Sequence, residues 1–145
     1  MSNVDFDILT RFAIKTNQAN RGRYEKNIFN CSPLLWLMEY CTVRIDVGRG
    51  VGKTEFIVGN LTDKDIVLVF NRNMKSIIQN RMNDGKEMRN VVNIQTFTPY
   101  NMRPLSPEYI FVDEPSLVFN CVKQEDIMRF FVDANKYQTV VMLGR

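Results

Sequence analysis

Apolar residues recur along this chain with two different periods, and the longer period indicates helices. Near the start, Phe6, Leu9, Phe12 and Ala13 follow one another at spacings close to a helical turn. An α-helix brings residues three and four positions apart to the same face, so this spacing predicts an amphipathic helix over about residues 4–18.

Four further helices are predicted from the same pattern. Ser32 followed by Pro33 is typical of a helix start, with the serine as N-cap and the proline in the first turn. Four apolar residues would share one face of a later helix: Met74, Ile77, Ile78 and Met82. The predicted ranges are 33–40, 52–61, 71–84 and 123–135.

Continuous apolar runs of strand length lie between these helices. The predicted strands cover residues 41–47, 65–70, 90–97, 108–114 and 138–144. Fully apolar strands that alternate with helices indicate a mostly parallel sheet covered on both faces. The pattern therefore predicts a three-layer α/β fold in a single domain over residues 1–145.

Composition narrows the class of protein. The 145 residues are 45% hydrophobic and 24% charged, and no apolar run approaches the roughly 20 residues that cross a bilayer. The first residues carry acids where a secretory signal would carry bases. We therefore expect no membrane partner and a cytoplasmic location. The net charge of +3 permits an anionic partner without requiring one.

The usual catalytic and metal-binding side chains are scarce. The sequence contains no histidine, and its three cysteines, Cys31, Cys41 and Cys121, show no paired spacing. A disulfide framework and a zinc site are therefore not expected.

A glycine-rich stretch, "GRGVGKT", lies between a predicted strand and a predicted helix, where a phosphate-binding loop belongs. Glycines allow backbone N–H groups to converge on phosphate oxygens, and the helix N-terminus adds partial positive charge. Lys53 would contact the β- and γ-phosphates, and the Thr54 hydroxyl would bind Mg²⁺. Val47 stands where the usual pattern has its first glycine, so a simple turn remains the alternative. The nucleotide-binding candidates are Gly48, Arg49, Gly50, Val51, Gly52, Lys53, Thr54 and Glu55.

Two adjacent acids end a later apolar strand, "YIFVDEP". Ligands of open α/β sheets bind at the carboxyl ends of the strands. Asp113 is placed there to hold Mg²⁺, and Glu114 to orient and deprotonate an attacking water. The alternative is a solvated acid at a strand end. Together with the lysine loop, the pair favours nucleotide binding.

These two motifs resemble the P-loop ATPase core shared by helicases and phage large terminase subunits, over roughly residues 33–145. The resemblance implies a RecA-like P-loop NTPase fold with an extra strand between the two motif strands, preceded by a helical extension over residues 1–32. The terminase core is the closer match, because that family tolerates a residue like Val47 and carries an arginine at the position of Arg49. The resemblance implies that Arg49 acts as a cis arginine finger.

The departures from that family are also informative. Terminases continue with a coupling motif and a nuclease domain, whereas this sequence stops at "VVMLGR". We therefore expect no nuclease, and we expect the coupling residues to be reduced to Gly144 and Arg145. These departures also argue against processive translocation.

Several other polar and aromatic residues have two interpretations. Gln18 could contact adenine or be a solvated helix residue, and Trp36 and Tyr40 could flank a base or pack on the sheet. A basic helix could contact a DNA backbone or be an ordinary wet surface; its residues are Arg72, Lys75, Gln79 and Arg81. Arg145 could sense the γ-phosphate or be a free tail.

The sequence as a whole predicts a viral or phage protein that binds and hydrolyses ATP with Mg²⁺ in a DNA-related process such as packaging or replication. Its location would then be the host cytoplasm, and its partners would include ATP, DNA or another viral protein, or further copies of itself. ATP is preferred by default, because no guanine-specific motif is present. The alternative is a weakly active or degenerate nucleotide-binding module that regulates a protein partner.

Overall fold

The chain folds into helices and strands that alternate along most of its length. The computed structural model describes residues 3–24, 31–83, 89–98, 106–133 and 137–145. Its α-helices are α1 (Asn3–Arg21), α2 (Pro33–Tyr40), α3 (Lys53–Asn60), α4 (Arg72–Asn83), α5 (Pro115–Cys121) and α6 (Gln124–Phe131). Short 3₁₀ turns cover Gly22–Tyr24 and Ile94–Thr96.

Five strands form one sheet in which every pairing is parallel. They are β1 (Thr42–Ile45), β2 (Ile66–Val69), β3 (Val91–Asn93), β4 (Tyr109–Asp113) and β5 (Thr139–Leu143). Their order across the sheet is β1-β5-β4-β2-β3. The predicted α/β fold with a parallel sheet is therefore confirmed. One strand, β5, lies between β1 and β4.

The strands separate two apolar cores because successive side chains point to opposite faces. In β2, Ile66 and Leu68 pack with Trp36, whereas Val67 and Val69 pack with Ile57. Helices α2, α5 and α6 contribute buried residues to the first core, and α1, α3 and α4 contribute them to the second. Helices thus cover both faces of the sheet.

Local signals explain where several elements begin. The Ser32 hydroxyl accepts a hydrogen bond from the Leu35 N–H at 3.2 Å, and Pro33 occupies the first turn of α2, as predicted. Trp36 is buried and stacks on Tyr40 with ring centroids 4.8 Å apart. Packing on the sheet is therefore the correct interpretation of Trp36.

The structure departs from the predicted elements at three places. The expected strand over 90–97 is only β3, because the Asn93 side chain accepts from the Gln95 N–H and starts a 3₁₀ turn. Helix α5 was not predicted. Helix α6 ends at Phe131, and the final residues of its predicted range, 134 and 135, lie outside the described residues.

The longest described helix, α1, has 19 residues and is amphipathic. Phe6 and Ile14 are buried against the second core, while Ile8 and Phe12 are exposed. Within the described ranges, no helix combines the length and the apolar character that a membrane span needs.

Candidate functional site

The loop between β1 and α3 has a backbone that glycine adopts readily and other residues rarely do. Gly48, Gly50 and Gly52 have φ angles of 97°, 68° and 100°. Such positive values are uncommon for residues that carry a Cβ. The glycine spacing in the sequence therefore corresponds to a real conformational requirement of the loop.

Lys53 is the first residue of α3, and its ammonium contacts the Glu114 carboxylate. The two side chains are 13% and 30% exposed, so the ion pair lies at the floor of a surface depression. Because β5 separates β1 from β4, the contact joins two elements that follow non-adjacent strands of the sheet. The structure thus brings together two residues that sequence analysis had assigned to catalysis.

Glu114 itself has an unusual backbone. Its φ and ψ are 55° and 73°, and it is the one non-glycine residue of the described part with a positive φ. It caps α5, whose first residue is Pro115. Left-handed conformations at such residues cost of order 1–3 kcal/mol and cluster at functional sites. The strained turn directs Glu114 back towards Lys53.

Asp113, the last residue of β4, is only 4% exposed. Burial raises its pKa from the ordinary value of 3.8 to about 6; the Lys53 charge opposes this rise and the Glu114 charge adds to it. A buried carboxyl at this edge of the sheet is placed where the prediction put a metal ligand. Its raised pKa shows that the ionised form lacks full compensation in the protein alone.

A cavity of about 510 Å³ opens over these residues. It is lined by Asp46, Gly48, Arg49, Lys53, Glu114, Ser116, Leu117 and Arg145. Arg49 lies on its exposed rim, whereas Val51 and Gly52, at the end of the loop, are buried. The cavity contains both signs of charge and has the volume of a small-molecule site.

Three lining residues were not predicted from the sequence. Asp46 follows β1 directly, and its carboxylate lies 3.5 Å from the Gly48 nitrogen. Ser116 and Leu117 lie in the first turns of α5, the helix that was not predicted. For Ser116 and Leu117, the signal that could have found them is Pro115, since proline favours the first turn of a helix.

Glu55 was predicted to help bind the nucleotide, but its side chain pairs with Arg81 of α4 at 2.6 Å. Its pKa is lowered by a hydrogen bond from its own backbone N–H and then by the bond from Arg81. Arg81 was one of the candidate DNA contacts, and in this structure its guanidinium is paired with Glu55.

Gln18 lies at the amino ends of the strands, whereas the glycine loop lies at their carboxyl ends. Its amide nitrogen donates to the Tyr109 hydroxyl at 2.9 Å, and Tyr109 begins β4. The site residue Asp113 ends the same strand, about 13 Å away at the usual rise per residue. Gln18 therefore lies over the amino ends of the strands, and its contact with an adenine stays a prediction.

The available donors fit a magnesium–nucleotide complex better than a metal held by protein alone. The described residues contain no cluster of three or more metal-binding side chains. Mg²⁺ bound with a nucleotide commonly takes one or two protein oxygens and the phosphates. The Thr54 hydroxyl and the Asp113 carboxylate supply oxygen donors of that kind, in the first turn of α3 and at the end of β4.

Comparisons of the chain with protein-family models, with curated proteins and with solved structures found no match. The resemblance to helicase and terminase ATPases therefore stays a prediction that rests on the two sequence motifs. The placement of Lys53 against Glu114 under the glycine loop is an observation of a different kind, because it depends on the fold.

Proposed function

We propose that this chain binds ATP with Mg²⁺ and hydrolyses it. The observation that carries the proposal is the meeting of Lys53 and Glu114 beside a loop with three positive-φ glycines. The loop and the start of α3 offer N–H groups and a positive helix end to phosphate oxygens. Asp113 and Glu114 lie at the same edge, at the carboxyl end of β4.

Each residue has one role in this proposal. Lys53 and the loop, Gly48 to Gly52, bind the phosphates, while Thr54 and Asp113 hold Mg²⁺. Bound Mg²⁺ neutralises phosphate charge. Glu114 orients a water and accepts its proton, and Arg49 on the cavity rim stabilises charge on the γ-phosphate.

The ion pair must open for this chemistry to occur. Lys53 contacts Glu114 in this structure, so the lysine must leave the carboxylate to reach a phosphate. Its departure also frees one oxygen of Glu114 for a water. The charges of the two central groups therefore neutralise each other in this structure.

Binding and hydrolysis are tested with two variants and two matched controls. Lys53→Ala should abolish Mg-ATP binding in isothermal titration, whereas Lys64→Ala, on an exposed loop, should bind normally. Glu114→Gln should bind Mg-ATP but not hydrolyse it. Glu108→Gln alters an exposed acid just before β4, at the amino ends of the strands and away from the site. This variant should hydrolyse ATP normally. Wild-type affinity in Lys53→Ala would refute the phosphate-loop assignment.

The Lys53–Glu114 contact also favours a second candidate, a nucleotide-binding module that regulates a partner and turns over little. In such a module the ion pair would persist and Glu114 would rarely meet water. Single-turnover hydrolysis with and without DNA separates the two. A rate that DNA accelerates supports a DNA-related ATPase, such as one in viral packaging or replication. Tight binding with no turnover in either condition supports the regulatory module.

A further inference from the structure

The turn that follows β5 connects three parts of the candidate site. The Gly144 N–H donates to the Ile45 carbonyl at 2.8 Å, at the end of β1. The Glu114 N–H donates to the Leu143 carbonyl at 2.9 Å, and the Ser116 N–H donates to the Arg145 carbonyl at 2.8 Å. Residues 143–145 thus fix the end of β1, the turn after β4 and the start of α5 relative to one another.

Because Gly144 has no side chain, the Lys53–Glu114 ion pair can lie directly beside it. A Cβ on Gly144 would be 2.8 Å from Glu114 Oε2 and 2.8 Å from Lys53 Nζ. Real Cβ atoms essentially never approach so closely, so the ends of the Glu114 and Lys53 side chains would have to shift, and the φ of +95° also disfavours a side chain there. By contrast, Gly48, Gly50 and Gly59 have no neighbouring atom near the position of a Cβ.

The next residue holds the second oxygen of Glu114. The Arg145 backbone N–H donates to Glu114 Oε2 at 3.2 Å, while Lys53 contacts Oε1. The carboxylate is therefore held on both oxygens by donors from different parts of the chain. If Lys53 moves away to a phosphate, the backbone donor still holds Oε2.

We propose that Gly144 and the backbone N–H of Arg145 form a positioning element for Glu114, which rests on the proposed function in treating Glu114 as the general base. Gly144 acts through its missing side chain, and Arg145 acts through its main chain. A general base must be held close to its productive geometry, and a misplacement of 1 Å can reduce a rate about 100-fold. Because Glu114 sits in a strained turn, it needs such an external restraint.

Gly144→Ala tests the missing side chain, with Gly59→Ala as its control. Gly59 lies inside α3 with open space around it, so Gly59→Ala should hydrolyse ATP at the wild-type rate. Gly144→Ala should lower the single-turnover rate about 100-fold. We expect its dissociation constant for Mg-ATP to change much less, since the flexible Lys53 side chain can move aside. Equal rates in the two variants, measured well below their melting temperatures, would overturn the proposal.

A second pair of variants isolates the backbone donor. Arg145→Ala keeps the N–H and removes the guanidinium, whereas Arg145→Pro removes the N–H as well. A hydrogen bond to a charged group has a strength equivalent to roughly tenfold or more in an equilibrium constant. We therefore expect Arg145→Pro to hydrolyse ATP at least about tenfold more slowly than Arg145→Ala. Equal rates in these two folded variants would remove the N–H from the proposal.

A measurement without nucleotide keeps the two proposals distinguishable. In ¹H–¹⁵N spectra, Glu114→Gln weakens the acceptor of the Arg145 amide, so that amide proton should move upfield. The Gly144 amide, which donates to Ile45, should move less and serves as the internal control. If the wild-type protein neither binds nor hydrolyses ATP, the proposed function fails, and this spectrum alone decides whether the turn holds the carboxylate. An unchanged Arg145 amide would overturn the positioning element in either case.

Discussion

Replacing Asp113 by asparagine removes a buried charge from the end of β4, and we expect the folded protein to become more stable. The side chain keeps its size, so packing changes little. What changes is ionisation, because the carboxyl of the wild-type protein must lose its proton in a site where burial opposes the charge.

The size of the effect follows from the pKa. Burial raises the Asp113 pKa from 3.8 to about 6. At about 1.4 kcal/mol for each pH unit, the charged carboxylate lowers the free energy of unfolding by about 3 kcal/mol at pH 8. As the pH falls through about 6, the folded protein takes up this proton before the unfolded chain does. As the pH falls from about 6 to about 4, the contribution of this group to the free energy of unfolding therefore becomes more favourable. This gain is lost when the pH is raised again.

Urea unfolding in EDTA at several pH values measures this difference. Asp113→Asn should exceed the wild type by about 3 kcal/mol at pH 8 and by only about 0.5 kcal/mol at pH 4. As a control, Asp63→Asn changes an exposed loop acid and should stay within about 0.5 kcal/mol at pH 8. If Asp113→Asn gains nothing at pH 8, or gains the same amount at pH 4, the buried charge is not the cause.

The same variant also separates a functional from a structural role for Asp113. A carboxylate kept for metal binding destabilises the nucleotide-free protein, so its removal should raise stability and lower Mg-dependent hydrolysis together. A purely structural acid would lose stability when replaced. The two measurements on one variant therefore give opposite results for the two roles.

Three further predictions concern the arginine of the loop, the basic helix and the core. Arg49→Ala should lower the hydrolysis rate at least 100-fold with a dissociation constant within a few-fold of wild type, and Arg49→Lys should recover little; wild-type rates in both would make Arg49 an ordinary loop residue. Changing Arg72 and Lys75 together to alanine should reduce the log–log salt dependence of DNA binding by about one for each phosphate interaction removed, while an unchanged slope would place DNA elsewhere. In thermal or urea unfolding, Phe131→Ala should lose about 3–5 kcal/mol because Phe131 is 0% exposed, and its 51% exposed neighbour should lose much less as Phe130→Ala; equal losses would contradict the burial.

The sequence predicted the elements well wherever an apolar run had a single explanation. Strands β2, β4 and β5 are buried at almost every position, so their runs stand out from the polar segments around them. The run that contains β3 also includes Ile94, which is buried although it lies in a 3₁₀ turn. The hydrophobic pattern indicates which residues are buried, but residues of a β-strand and of a 3₁₀ turn can be buried alike.

Only part of the candidate site could be predicted, because the sequence shows local patterns but not which of them meet in the fold. Lys53 and Glu114 belong to recognisable local patterns, but their contact depends on strand order, which periodicity does not specify. Gly144 shows the limit most clearly. The sequence marks it as a glycine near the end of the chain, and only the positions of Glu114 and Lys53 show which groups a side chain there would displace.

The position of β5 also has a consequence for how the protein is made. At the edge of the sheet, β1 pairs with β5, and Thr42 is matched with Val140, about 100 residues later in the chain. In the described sheet β1 pairs with β5 alone. During synthesis on a ribosome, β1 therefore has no partner strand in this sheet until β5 has been made. Pairings between such distant strands form slowly, because a long loop must close first. The glycine loop and the two acids both precede β5 in the chain, so they meet only after β5 has emerged and inserted between their strands.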